Sequence, residues 1–151
     1  MFKKFLKFLF IDEALKDDVL FLKRVALFQG LSDRALSKIA LIVFKKKYVP
    51  GESIYKEKQE ANVVYLIKDG LVKIFNSSNE KTVEKDDFFG EISLVENKRH
   101  DSSAVAVKES EIYLIYRVKF DDMVDSDVKV GLRIMKNLAV IFSTRLKCLE
   151  F

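Results

Sequence analysis

The sequence predicts a mixed fold: an antiparallel double-sheet jelly-roll barrel, flanked by N-terminal helices and followed by a long C-terminal helix. Two observations predict it. Between Phe44 and Tyr116, short apolar runs alternate with turn signals at Pro50-Gly51, Asp69-Gly70 and Asn76–Asn79, the pattern of a sandwich or jelly roll. On either side of that window the apolar spacing lengthens to that of a helix.

Composition sets the outer limits. At 151 residues and 49% hydrophobic, the chain is long and apolar enough to bury one proper core. The net charge of +4 is dispersed along the chain and does not by itself argue for nucleic acid. Cys148 is the single cysteine. It excludes an intrachain disulfide and fits a reducing, cytoplasmic setting. No apolar run reaches the ~20 residues of a spanning helix. Lys7 interrupts the stretch Met1–Phe10, and Ile11-Asp12-Glu13 lacks the small residues of a signal-peptide cleavage site.

At the N-terminus, Phe2, Phe5, Leu6 and Leu9 recur at helical spacing with Lys3, Lys4 and Lys7 opposite. This is a short basic amphipathic helix. It reads either as a peripheral membrane or partner anchor or as a helix docked on its own domain or on a dimer mate. The helical pattern continues from Asp12 to Phe28, with Val19, Leu22, Leu27 and Phe28 inward. Residues 1–24 are set apart as an N-terminal segment, and 25–151 as the main domain. Gly30 stops the helix. Ser32 caps the next one, which runs to about Ile42 with Leu36, Ile39, Ala40 and Val43 inward.

The period then changes to that of strands. Strands are expected at Phe44–Tyr48, Ile54–Lys56, Val63–Ile67, Leu71–Phe75, Lys81–Glu84, Ala104–Val107 and Ile112–Tyr116. Lys45-Lys46-Lys47 reads as an exposed strand face. From Val128 to Glu150 two apolar stripes run side by side. Val128, Leu132, Met135, Ala139, Phe142, Leu146 and Leu149 keep a heptad; Gly131, Ile134, Leu138 and Ile141 form the second stripe. One stripe can cover the domain while the other pairs with a twin helix, so a homodimer through 128–150 is expected. The competing reading packs both stripes within one chain.

The stretch that carries chemistry is Asp87 to Val107. Phe89 and Gly90 precede a helical turn from Glu91 to Glu96; a polar loop follows, and then Ser102-Ser103-Ala104-Val105 leads into a strand. Gly90 can take a positive φ and bring backbone close to a ligand. The N–H groups of Glu91, Ile92 and Ser93 would then face an anion.

Phe89-Gly90-Glu91-Ile92-Ser93-Leu94 with its small-residue strand resembles the phosphate-binding cassette of the cyclic nucleotide-binding domain family, of the catabolite-activator type. Leu27-Phe28, Tyr65-Leu66-Ile67 with Gly70-Leu71-Val72, and Phe120–Met123 resemble it too, so the likeness covers about residues 25–150. It implies that Gly90, Glu91, Ile92 and Ser93 hold a ribose and cyclic phosphate, and that Ser102, Ser103 and Ala104 are the small residues beside it. The family's phosphate arginine falls on Asp101. Losing a bidentate arginine removes roughly 1.5–3 kcal/mol. A carboxylate in its place adds up to about 4 kcal/mol of repulsion. Arg99, two residues back and roughly 6.6 Å away along a strand, is the one candidate to replace it. Lys58, Ala61 and Asp86 stand where the family places turn glycines, so those turns are expected to differ locally.

Two functions follow. The first is a stand-alone regulatory or interaction module with weak or no cAMP or cGMP binding, with a protein partner. The second is a sensor that binds a cyclic nucleotide through Arg99, or another ligand, and signals through the last helix. An enzyme is not expected. His100 is the single histidine and reads as a solvated loop residue, which leaves no metal-ligand set and no Ser-His or Cys-His pair. Cys148 reads as core or interface. No cofactor is expected beyond a doubtful cyclic nucleotide. The chain stops at Phe151, so no helix-turn-helix and no specific DNA binding are expected.

Overall fold

The computed structural model describes residues 1–149, with the side chains of residues 5–11 set aside. The chain forms two compact units, Met1–Leu41 with Met123–Phe151, and Ile42–Asp122. In order the elements are α1 (Phe2–Arg24), a 3-10 turn (Ala26–Phe28), α2 (Asp33–Ile42), β1 (Phe44–Tyr48), β2 (Ser53–Tyr55), β3 (Glu60–Ala61), β4 (Val63–Asp69), β5 (Leu71–Phe75), β6 (Glu80–Glu84), β7 (Phe88–Phe89), a second 3-10 turn (Glu91–Leu94), β8 (Lys98–Arg99), β9 (Ser103–Ala106), β10 (Ser110–Tyr116), α3 (Arg117–Ser126) and α4 (Val128–Leu149).

The unit of residues 42–122 holds two four-stranded antiparallel sheets, ordered β1-β10-β4-β7 and β2-β9-β5-β6, and a two-stranded ribbon β3-β8. Its core draws on both sheets: Tyr48, Val63, Tyr65, Ile67, Phe89, Ile112 and Leu114 from the first, Tyr55, Val72, Ile74, Val83, Ala104 and Ala106 from the second. Alternation sets the register. Val72 and Ile74 of β5 are buried while Leu71 and Lys73 are half-exposed, and β5 pairs Val72 with Val83 and Ile74 with Ala104. Pro50-Gly51 closes a four-residue turn through Glu52 N–H to Val49 O at 3.0 Å. The Asn76 side chain accepts from Ser78 and Asn79 N–H at 2.9 Å to close the β5–β6 hairpin.

In the other unit, α1 ends at Arg24 rather than Phe28. Val25 is extended, and Leu27 and Phe28 bury themselves from the 3-10 turn that follows. Ser32 caps α2 as expected: its Oγ accepts from Ala35 N–H at 3.2 Å. Asp127 does the same for α4, accepting from Val130 N–H at 3.3 Å and pairing with Lys38 at 2.8 Å. The two stripes of α4 part company. Val130, Gly131, Ile134 (0% exposed) and Leu138 (1%) are buried, and Asn137 ties the helix to the Leu27 and Gln29 carbonyls. The heptad stripe faces outward, with Leu132 54% and Leu146 61% exposed.

Two further expectations are corrected. Lys58 and Asp86, expected to change their turns, take the left-handed backbone usual for glycine, at φ 73° and 69°. Each is held by a backbone bond, from Lys58 N–H to His100 O at 2.8 Å and from Asp86 N–H to Ile67 O at 2.9 Å. Cys148 is exposed rather than core. The amphipathic pattern read for Met1–Phe10 falls mostly on side chains outside the described residues. Among the described residues no helix is long and apolar enough to cross a membrane.

Candidate functional site

β7 delivers the chain to the cassette by pairing Phe89 with Tyr65 and Phe88 with Leu66. Gly90 then takes φ 77°. A Cβ here would lie 2.7 Å from the Val63 carbonyl oxygen and 3.1 Å from the Tyr65 ring, so sterics and backbone angle both demand glycine. The turn that follows is 3-10 and ends at Leu94, shorter than the helical turn read from the sequence. Ser93 N–H donates to Gly90 O at 3.1 Å. Of the three N–H groups expected to face an anion, that one is therefore spent inside the turn. Glu91 is buried at 6% exposure, and Ser93 is fully buried with its hydroxyl unpaired among the described residues, a state that a buried polar atom rarely keeps.

The loop after the turn is tied down by Arg117, which donates to Glu96 O at 3.3 Å and to Asn97 Oδ1 at 3.2 Å. Asp101 is exposed, and its carbonyl accepts from Asn76 Nδ2 at 3.3 Å. Ser103 Oγ accepts from Glu57 N–H at 2.9 Å. Ala104 is buried opposite Tyr55 and Ile74. Ser102 hydrogen-bonds the Tyr55 phenol. Burial pushes that phenol up to about 12; the Ser102 bond opposes the rise, and the Asp101 and Glu91 carboxylates add to it. One phenol thus feels the carboxylates of both halves of the cassette, the turn and the returning loop.

Arg99 lies on β8, where it pairs with Glu60 and donates through Nη1 to Lys58 O at 3.2 Å. It lines a cleft of about 720 Å³ whose walls include Lys46, Tyr48, Tyr55, Lys58, Tyr65 and His100. None of Phe89, Gly90, Glu91, Ile92, Ser93, Asp101, Ser102, Ser103 or Ala104 lines it. The structure therefore groups the other sequence-named residues at the cassette and places Arg99 at a different opening.

A cluster of rings joins the core to both places. Tyr65 stacks on Phe89 with centroids 4.9 Å apart, and Tyr55 tilts against Tyr65 at 5.5 Å. His100 lies flat on Tyr55, 3.6 Å away and 5° from parallel. His100 is thus not the solvated residue expected. It is half-buried, and burial holds its imidazole below the ordinary value of 6.5 while Asp101 pulls the other way. Sequence reasoning missed Tyr55, Tyr65, His100 and Lys58 because their meeting depends on sheet pairing. Only the alternation Phe44, Lys46, Tyr48 on β1 hinted at a shared wall. Among the described residues no group of three His, Cys, Asp or Glu could hold a metal ion.

Comparison with known proteins bears on this arrangement. The family model for the cyclic nucleotide-binding domain matches residues 45–127, more than half of the chain. A cAMP-dependent protein kinase regulatory subunit of Colletotrichum orbiculare is 28% identical over 134 residues, covering 80% of this chain and 34% of its own length. The cyclic AMP receptor protein of Thermus thermophilus is 28% identical over 133 residues, covering 83% of this chain and 59% of its own. The solved N-terminal domain of a transcriptional regulator from Streptomyces coelicolor A3(2) superposes with a TM-score of 0.76 at 17% identity, over 85% of this chain and 94% of that one. The chain thus spans about a third of the length of the first of these curated relatives and three-fifths of the second.

Proposed function

Since the chain belongs to the cyclic nucleotide-binding domain family, we propose that it is a regulatory module whose cassette takes cAMP or cGMP weakly or not at all. One observation carries this reading: the loop returning from the Gly90 turn brings the Asp101 carboxylate to the cassette, while Arg99 lines a different opening. A cyclic phosphate there would meet negative charge that Arg99, placed on β8, does not offset. The missing arginine and the added carboxylate together amount to an affinity loss on the order of 10³-fold. The relatives' names tie those proteins to cAMP, which supports a cyclic nucleotide as the ligand class to test. The module works without catalysis, in the cytoplasm.

The output is a homodimer through α4, because its heptad stripe stays exposed while the neighbouring stripe is buried. A protein partner reads the dimer. Isothermal titration calorimetry of the full chain with cAMP, cGMP and cyclic dinucleotides tests the ligand claim. The expected result is no binding tighter than about 0.1 mM. Micromolar binding that Arg99→Ala abolishes would instead support the sensor reading.

A further inference from the structure

The cleft that holds Arg99 has a composition the cassette lacks. Its floor is aromatic: Tyr48, Tyr55 and Tyr65 are buried core residues. Its rim is cationic, with Lys46, Lys58 and Arg99 against one carboxylate, Glu60. Among the described residues none of the three cations has a carboxylate partner. Lys46 Nζ rests 4.6 Å from the Tyr48 ring centroid. The volume of about 720 Å³ falls within the roughly 300–1,000 Å³ of small-molecule sites.

The rim is also built rigidly. Lys58 sits at φ 73°, an uncommon conformation for a side-chain-bearing residue that persists where its surroundings over-determine it. Here three bonds do so: Lys58 N–H to His100 O at 2.8 Å, His100 N–H to Gln59 O at 2.8 Å, and Arg99 Nη1 to Lys58 O at 3.2 Å. The His100 ring is clamped against Tyr55. The backbone that carries the rim and the Arg99 guanidinium are thus fixed against the ring floor before any ligand arrives, which lowers the ordering cost of binding.

We propose that this cleft is a second ligand site, separate from the cassette, for a small molecule that carries a planar ring and a phosphate or carboxylate. The ring lies against the aromatic wall that the tyrosines and His100 form. The anion is held at the rim by Lys58, Arg99 and Lys46, with Arg99 offering the forked geometry that suits either group. Glu60, Gln59 and Asn62 line the same cleft and accept or donate to the ligand's remaining polar groups.

The test is an NMR titration of the full ¹⁵N-labelled chain with four probes. Adenosine 5′-monophosphate carries ring and phosphate, indole-3-acetate ring and carboxylate, adenosine the ring alone, and inorganic phosphate the anion alone. At least one of the first two is expected to bind with a Kd of about 1 mM or tighter, shifting Lys58, Arg99 and His100 signals. Adenosine and phosphate should bind at least about tenfold more weakly. Arg99→Gln, and Lys58→Gly, which keeps the left-handed turn, should each weaken binding about tenfold. Absence of binding by both ring-plus-anion probes would overturn the proposal. So would shifts confined to Gly90–Ser93, or affinity unchanged in both variants. Titration of cAMP reports on the cassette separately, so failure of one site does not imply failure of the other.

Discussion

Gly90 and Lys58 hold nearly the same backbone, at φ 77° and 73°, and the two regions they anchor differ in what surrounds that backbone. At Gly90 the space is closed by Val63 O and the Tyr65 ring, so the cassette keeps its glycine. At Lys58 the side chain runs out to the cleft rim, so a lysine is tolerated at the cost of some strain. The cassette keeps its glycine turn with Asp101 on the loop that follows, whereas the cleft carries its cations beside a left-handed residue that is not glycine. On the proposed reading, shape and charge lie at two separate sites.

The largest expected effect breaks the cassette side. Gly90→Ala should cost about 3 kcal/mol, from left-handed strain and the clash with Val63 O together, measured by urea denaturation. A cost under about 1 kcal/mol would mean the turn relaxes freely. The two stripes of α4 give the next contrast. Leu138→Ala should lose about 2–4 kcal/mol of stability because Leu138 is fully buried. Leu132→Glu with Leu146→Glu should leave monomer stability within about 0.5 kcal/mol and abolish the dimer in sedimentation equilibrium. A chain that stays dimeric with both glutamates would assign the interface elsewhere.

Acid and alkali probe the ring cluster. The imidazole of His100 is held below its ordinary value by burial, so the unfolded chain binds that proton more readily. Its contribution to stability is present above pH 6.5 and is lost as pH falls below it. Tyr55 behaves in the opposite sense. Its phenol is raised to about 12, so the folded state holds the proton and stability declines as pH rises from 10 through 12. Urea midpoints from pH 8 to 5 and from 9 to 12 should show both slopes, and Tyr55→Phe should remove a part of the alkaline one, since burial raises the Tyr48 and Tyr65 phenols as well. The smallest effect sharpens the cleft side: Lys58→Gly should change stability by under about 1 kcal/mol, since relieved strain offsets added chain entropy.

Most of the frame was legible in the sequence because it rests on local signals. The Ser32 cap, the Pro50-Gly51 turn, the β4 and β5 strands and the Gly90 turn each follow from residue type and spacing. What was missed is non-local or too short to carry a period. β3, β7 and β8 have two residues each, and two residues cannot show an alternation. The stack of His100 on Tyr55 needs the backbone bonds of His100 to Lys58 and Gln59 that bring residue 100 across to residue 55. Lys58 and Asp86 read as broken turns because propensity argued against αL; the long-range bonds that override it leave no trace in the local sequence.

The separation of shape from charge is tested most directly by restoring the charge alone. Calorimetry with cAMP should show no binding tighter than about 0.1 mM for the native chain, and a gain on the order of 10²- to 10³-fold for Asp101→Arg, because the Gly90 frame is intact. Micromolar binding by the native chain, or a folded Asp101→Arg variant that still ignores cAMP, would contradict the account.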